Sequence, residues 1–163
     1  MPELKQVVIY TDGSCIGNPG PGGFGVVLLQ AGRRKELSGG YRMTTNNRME
    51  ILAVIAGLRS LDEPSRTTVY SDSQYVVNTI EKGWAKRWKA NGWFRNKKER
   101  AVNPDLWDAL LDLCQTYEVK FSWARGHSGH VENERCDRLA VAAATGANLK
   151  VDVAYESLDP FKN

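Results

Sequence analysis

Val7-Val8-Ile9-Tyr10-Thr11-Asp12-Gly13 is the stretch on which the reading of this chain turns. Five apolar or β-branched residues in a row suit a buried strand, and Asp12-Gly13 is a turn signal that stops it. A buried strand with a carboxylate at its C-terminal end fits an open α/β sheet, where ligand sites gather at the carboxyl ends of strands. After it comes a glycine and proline run, Gly17-Asn18-Pro19-Gly20-Pro21-Gly22-Gly23. Strands are then expected at about 23–30 and 34–42, joined by Ala31-Gly32-Arg33 as a hairpin. Thr44-Thr45-Asn46-Asn47 carries side chains that cap helix N-termini, and 48–61 is rich in Leu, Ile, Ala and Met, so a helix follows. Pro64-Ser65 breaks it, and 67–71 reads as a strand ending at Asp72. Helices are expected at 73–81, at 84–90 and from Pro104 to about 117, with proline as the first helical residue. The intervening 91–103 is polar, basic and irregular. A fifth strand at 119–124 alternates apolar and polar residues, Gly126-His127-Ser128-Gly129-His130 is a loop, and a last helix at 132–145 ends at Gly146. The order predicts one mixed sheet flanked by helices.

The 163 residues suit one compact domain, and 42% hydrophobic with 25% charged residues is ordinary for a soluble globular protein. No apolar run approaches the roughly 20 residues a membrane-crossing helix needs. Residues 1–6 carry Glu3 and Lys5 ahead of the first strand, so no export signal is expected. Cys15, Cys114 and Cys136 are odd in number and widely spaced, which suggests neither a zinc site nor a disulfide framework. Reduced thiols and a cytoplasmic location are expected. Nothing indicates an oligomer, and a monomer is expected. The net charge of +3 is unevenly spread: 82–100 holds eight bases and only Glu99 as an acid, giving +7 there and −4 elsewhere. A basic segment on a mildly acidic body points to a polyanionic partner.

Four acids stand in awkward places. Asp12 and Asp72 end strands. Glu50, on a helix, has Ala53, Val54 and Gly57 at i+3, i+4 and i+7, which is a packing face. Asp137 has Ala140, Val141 and Ala144 at the same offsets. Taken singly, each reads as a turn former, a cap or a solvated acid. Taken together they suggest converging carboxylates, which repel and raise one another's pKa unless a divalent cation neutralises them. Oxygen ligands suit magnesium or manganese rather than zinc. Two such ions about 4 Å apart activate water and stabilise a leaving oxygen in phosphoryl transfer.

Four motifs occur in order: Thr11-Asp12-Gly13-Ser14-Cys15-Ile16-Gly17-Asn18-Pro19-Gly20-Pro21-Gly22-Gly23; Thr44-Thr45-Asn46-Asn47-Arg48-Met49-Glu50; Ser71-Asp72-Ser73-Gln74-Tyr75-Val76; and Gly126-His127-Ser128-Gly129-His130 followed by Glu132-Asn133-Glu134-Arg135-Cys136-Asp137. The set resembles bacterial type 1 ribonuclease H, the ribonuclease HI family, over roughly 7–144. The resemblance implies a ribonuclease H-like fold, a five-stranded mixed sheet of order 3-2-1-4-5 flanked by helices. It also implies a catalytic domain over 1–147, with a basic protrusion at about 82–100 and a C-terminal tail at 148–163. The implied activity is endonucleolytic hydrolysis of the RNA strand of RNA–DNA hybrids, leaving 5′-phosphate and 3′-hydroxyl ends. Asp12, Glu50, Asp72 and Asp137 match the metal-binding carboxylates. The implied cofactor is Mg2+, two ions per active site in the substrate complex, with Mn2+ able to substitute. His127 matches a histidine that assists proton transfer or product release; by itself it reads as a solvated loop histidine. Asn18, Asn46 and Gln74 match positions that contact the minor groove, with Cys15 and Asn47 beside them. Thr45 and Asn103 match residues linked to DNA phosphate contacts. Trp84, Trp88 and Lys89 lie on the basic segment, read as a handle on the DNA strand; the alternative is that the tryptophans anchor a short helix to the body. Gly13–Gly23 is expected to let backbone approach the hybrid closely. The rival readings are a non-catalytic hybrid-binding module, another nuclease of the same fold such as an integrase or junction resolvase, and a metal-free structural protein.

Overall fold

The computed structural model describes residues 4–124 and 131–157. Three antiparallel strands come first: β1 (Lys5–Cys15), β2 (Gly20–Gln30) and β3 (Arg33–Thr44). Ala31 and Gly32 join β2 to β3 with φ of 49° and 79°, the doubly left-handed pair that matches strand twist in a two-residue hairpin. Helix α1 (Asn46–Arg59) leads to β4 (Ser65–Ser71), then α2 (Gln74–Glu81), α3 (Trp84–Ala90) and α4 (Pro104–Thr116). Strand β5 (Glu118–Trp123), helix α5 (Val131–Ala144) and the short α6 (Val153–Glu156) complete the order. The sheet runs β3-β2-β1-β4-β5, with β4 and β5 parallel to β1, as the resemblance implied.

Alternation along β1 and β2 assigns the faces. Val7, Ile9 and Val26 point to the side of α1, where Gly57 lets the helix meet Ile9 and Val26 closely. Helix α4 packs beside α1 and sends Trp107 and Leu110 into the same core. Helix α5 lies on the opposite face, against β1 and β2. Its seat is made by missing side chains: a Cβ at Gly23 or Gly25 would collide with the α5 backbone at Ala140 or Cys136.

This corrects two expectations. Asp12 does not end β1. The strand continues to Cys15 against β2, and what stops after Thr11 is its pairing with β4. The glycine run is also not all loop, because β2 starts at Gly20. Gly13, Gly20, Gly22 and Gly23 each face the protein's own atoms. A turn signal in sequence reports permissive backbone, and here tertiary packing used the permission for close contact instead.

The 82–100 segment projects as α3 and the loop after it, fastened by Trp88 and Trp93, which pack on the core. The Trp93 backbone N–H donates to the Trp88 carbonyl at 2.6 Å, and Ala101 N–H to the Trp93 carbonyl at 2.8 Å. Beyond α5, Lys150 pairs with β3 through Arg42 N–H to Lys150 O and Lys150 N–H to Gly40 O, both 2.9 Å. The chain after 147, given no role by its sequence, is thus docked on the sheet edge at Lys150.

Candidate active site

The sheet changes pairing mode at β1, antiparallel to β2 on one side and parallel to β4 on the other. Chains diverge there, and a cleft of about 400 Å³ opens between them. Asp12, Gly13, Ser14, Asn46, Glu50, Asp72, Ser73 and Asp137 line it.

Each acid arrives by a different element. Asp12 sits on β1 one residue past its last β4 partner. Glu50 comes from the first turns of α1, whose N-cap Thr45 accepts from Arg48 N–H at 3.2 Å. Asp72 follows β4 directly. There Ser73 caps α2 by accepting from Val76 N–H at 3.2 Å, and the Trp123 indole N–H donates to the Asp72 carbonyl at 3.1 Å. Asp137 lies on α5. Gly13 joins the first two: its N–H donates to Glu50 Oε1 at 2.5 Å and to Asp12 Oδ1 at 2.9 Å. A side chain at Gly13 would strike the backbone of Met49 and Glu50, so only glycine lets β1 and α1 come this close.

One carboxylate oxygen from each of Asp12, Glu50 and Asp72 falls within 4.8 Å of the others. Asp137 lines the same cleft outside this trio, half-buried, and its charge acts on Asp12. Val141, one turn further along α5, is exposed, so Asp137 borders the packing face rather than pointing from its middle.

Asp12 and Glu50 are each only 4% exposed. Burial first, then the charges of Asp72 and Asp137, push the Asp12 carboxyl up to about 7; the nearby Glu50 opposes that rise. Burial and the Asp12 charge hold Glu50 well above the usual carboxylate range. Asp12 Oδ2 and Glu50 Oε2 are buried and lack a hydrogen-bond donor among the described residues. Two unpartnered buried acceptors among converging acids are costly as they stand. A hard divalent cation satisfies both at once, so the donor set fits magnesium or manganese.

Of the expected substrate residues, Asn46 lines the cleft. Asn18 is exposed, and its Oδ1 accepts from Asn46 N–H at 3.0 Å, tying the glycine loop to α1. Cys15 lies near the carbonyls of Gly20 and Thr44 at 3.5 and 3.4 Å. Asn47 and Gln74 are exposed at the starts of α1 and α2. Asn103 accepts from Arg48 Nη1 at 3.2 Å. Trp84 lies under Lys82 Nζ, 5.6 Å from its ring centre, whereas Trp88 is half-buried on the core. The anchor reading therefore suits Trp88. Lys89 is ion-paired with Asp108 of α4 at 2.7 Å, while Lys86, Arg87, Lys97 and Lys98 face solvent. His127 lies outside the described residues.

Sequence reasoning missed Arg48, Asp105 and Asp152, which form one ionic cluster in which Arg48 and Asp152 are buried and Asp105 is exposed. A signal existed: a cation in the first turn of a helix opposes the helix dipole and calls for a partner. Cys15, Cys114 and Cys136 carry free thiols. No helix among the described residues is long and apolar enough to cross a membrane.

Comparison with known proteins agrees. The RNase H family model matches residues 4–145. Ribonuclease H of Desulforamulus reducens is 66% identical over 93% of this chain and 95% of its own length. Ribonuclease HI of Synechocystis is 62% identical, covering 93% of this chain and 95% of its own. Among solved structures, LC9-RNase H1, a type 1 RNase H with the type 2 active-site motif, superposes with a TM-score of 0.79 at 29% identity, covering 99% of this chain and 85% of that one. LC11-RNase H1, solved in complex with an RNA/DNA hybrid, shares the fold, with a TM-score of 0.63 at 24% identity over 85% of this chain and 96% of that one. With its ordered motifs, its sheet order and its acidic cleft, this chain belongs to the RNase H family.

Proposed function

We propose that this ribonuclease H hydrolyses the RNA strand of RNA–DNA hybrids endonucleolytically, using two Mg2+ ions, and leaves 5′-phosphate and 3′-hydroxyl ends. The observation that carries the reading is the Asp12–Glu50–Asp72 cluster with its two buried, unpartnered oxygens at the sheet's pairing switch. Asp12, Glu50, Asp72 and Asp137 would hold the ions, and manganese would substitute on the same ligand chemistry. Bound there, the ions supply charge that activates the attacking water and stabilises the leaving 3′ oxygen.

The rest of the work belongs to the chain. Gly13 N–H orients Glu50 and Asp12, so the ligands are set before substrate arrives. Asn18, Asn46, Asn47, Gln74 and Cys15 edge a surface suited to the wide minor groove, where only the RNA strand carries 2′-hydroxyls. Thr45 and Asn103 contact a DNA-strand phosphate. Trp84 and Lys89, with the exposed bases around them, grip the DNA backbone, and Trp88 holds this handle to the body. His127 assists proton transfer or product release. The protein acts as a monomer in the cytoplasm, and its free thiols suit that reducing setting.

The test is digestion of an end-labelled RNA–DNA hybrid beside the all-RNA and all-DNA duplexes, with Mg2+ and with chelator. Cleavage confined to the RNA of the hybrid, absent with chelator, is expected. Cutting of duplex DNA, or no cutting at all, overturns the reading.

A further inference from the structure

Arg48 carries a charge buried to 3% exposure in the first turn of α1, at the positive pole of the helix. Two carboxylates compensate it. Nε and Nη2 donate to Asp152 Oδ2 and Oδ1 at 2.8 and 3.1 Å, while Nη1 and Nη2 donate to Asp105 Oδ1 and Oδ2 at 2.9 and 2.7 Å. Nη1 also donates to Asn103 Oδ1 at 3.2 Å, and the Arg48 backbone N–H donates to Thr45 Oγ1 at 3.2 Å. One residue therefore occupies acceptor atoms of both groups assigned above to a DNA phosphate. What Thr45 and Asn103 have left to present is a hydroxyl proton and amide N–H groups. Those are donors, the polarity an anionic oxygen requires.

Asn103 depends on that support. It sits at the end of the irregular basic loop in left-handed backbone, φ 62° and ψ 41°. Arg48 depends in turn on Asp152, from the far end of the chain. Asp152 also accepts from Thr44 Oγ1 at 2.7 Å and from Tyr155 N–H at 3.3 Å. The segment that carries it is strapped to β3 by the Lys150 pairing and by an Arg42–Glu156 ion pair at 2.8 Å.

We propose that Asp152 is a positioning residue for hybrid binding: from the C-terminal strap it clamps the Arg48 guanidinium, so that Asn103 holds its amide donors toward a DNA-strand phosphate. The inference rests on the phosphate role proposed for Asn103 beside Thr45. Its sign is informative. Asp152 places a negative charge near the phosphate, so by Coulomb attraction alone its removal would tighten binding. Positioning requires the reverse.

The experiment is steady-state cleavage of the hybrid by Asp152→Asn, Asn103→Ala and the double variant. Asp152→Asn is expected to raise KM roughly three- to tenfold, the size of an indirect coupling, with kcat and the Mg2+ activation curve little changed. In the Asn103→Ala background it should add almost nothing. An unchanged or lowered KM, or a rise that adds in full to that of Asn103→Ala, overturns the proposal. Should Asp152→Asn melt below the assay temperature, Thr44→Val removes only one donor to Asp152. It should raise KM by a smaller factor, and an unchanged KM there overturns the proposal equally. Failure of the wild-type protein to cut the hybrid would instead strike the reading of the site.

Discussion

Asp12 is a carboxylate that the bare protein holds at a loss. Its ordinary value is 3.8; burial, aided by the charges of Asp72 and Asp137, pushes it up to about 7. The unfolded chain therefore releases this proton first, and the stability of the metal-free protein falls as pH rises from about 4 through about 7. In chelator, the wild-type protein is expected to melt lower at pH 8 than at pH 5.5. Asp12→Asn should remove part of that difference, with the buried Glu50 keeping the rest, and raise Tm at pH 8 by about 2–4 °C, because a desolvated charge is gone. Mg2+ at pH 8 should restore the wild-type Tm by binding the native state, with little effect on the variant. The same variant should lose hybrid cleavage. Melting curves at the two pH values, with and without Mg2+, check the stability claims, and equal wild-type Tm at both would remove the physical cause. At this scale the sequence showed Asp12, Glu50, Asp72 and Asp137 as misplaced acids. It could not show that Gly13 N–H bridges two of them, because that contact joins β1 to α1 across 37 positions.

Elements meet here through absent side chains as much as through present ones. Helix α5, which brings Asp137, lies directly on the glycines of β2. Gly25→Ala places a methyl group against the Cys136 carbonyl and Ala140 nitrogen, atoms of a helix backbone that cannot swing away. The expected loss is about 1–3 kcal/mol in urea unfolding, the range for overpacking, together with a lower kcat as Asp137 shifts. A variant with unchanged stability and kcat would mean that α5 has another seat. The helices and strands themselves were legible from local signals: Pro104 does begin α4, Thr45 does cap α1, and the Ala31-Gly32 turn does join β2 to β3. The start of β2 was not, because Gly20–Gly23 look like a loop until α5 is laid on them.

Charge is unevenly spread over the whole molecule. The segment 82–100 carries +7 and the rest −4, and its exposed bases stand apart from the acidic cleft. Replacing Lys86, Arg87, Lys97 and Lys98 by Ala should raise hybrid KM and flatten the slope of log affinity against log salt by up to about 3–4, near one unit per lost phosphate contact. Stability should move by less than about 0.5 kcal/mol per site, since these side chains face solvent. Binding titrations across a salt series check this, and an unchanged slope would dismiss the handle. The sequence alone determined the family, the strand and helix order, the four carboxylates and the basic segment. Each of these is written in local composition and ordered motifs. Only the tertiary structure decided that β1 runs past Asp12, that glycines seat α5, and that Asp152 reaches back 104 positions to Arg48. Such contacts arise when distant segments share one buried site, where an unpaired charge must find a partner whatever its distance along the chain.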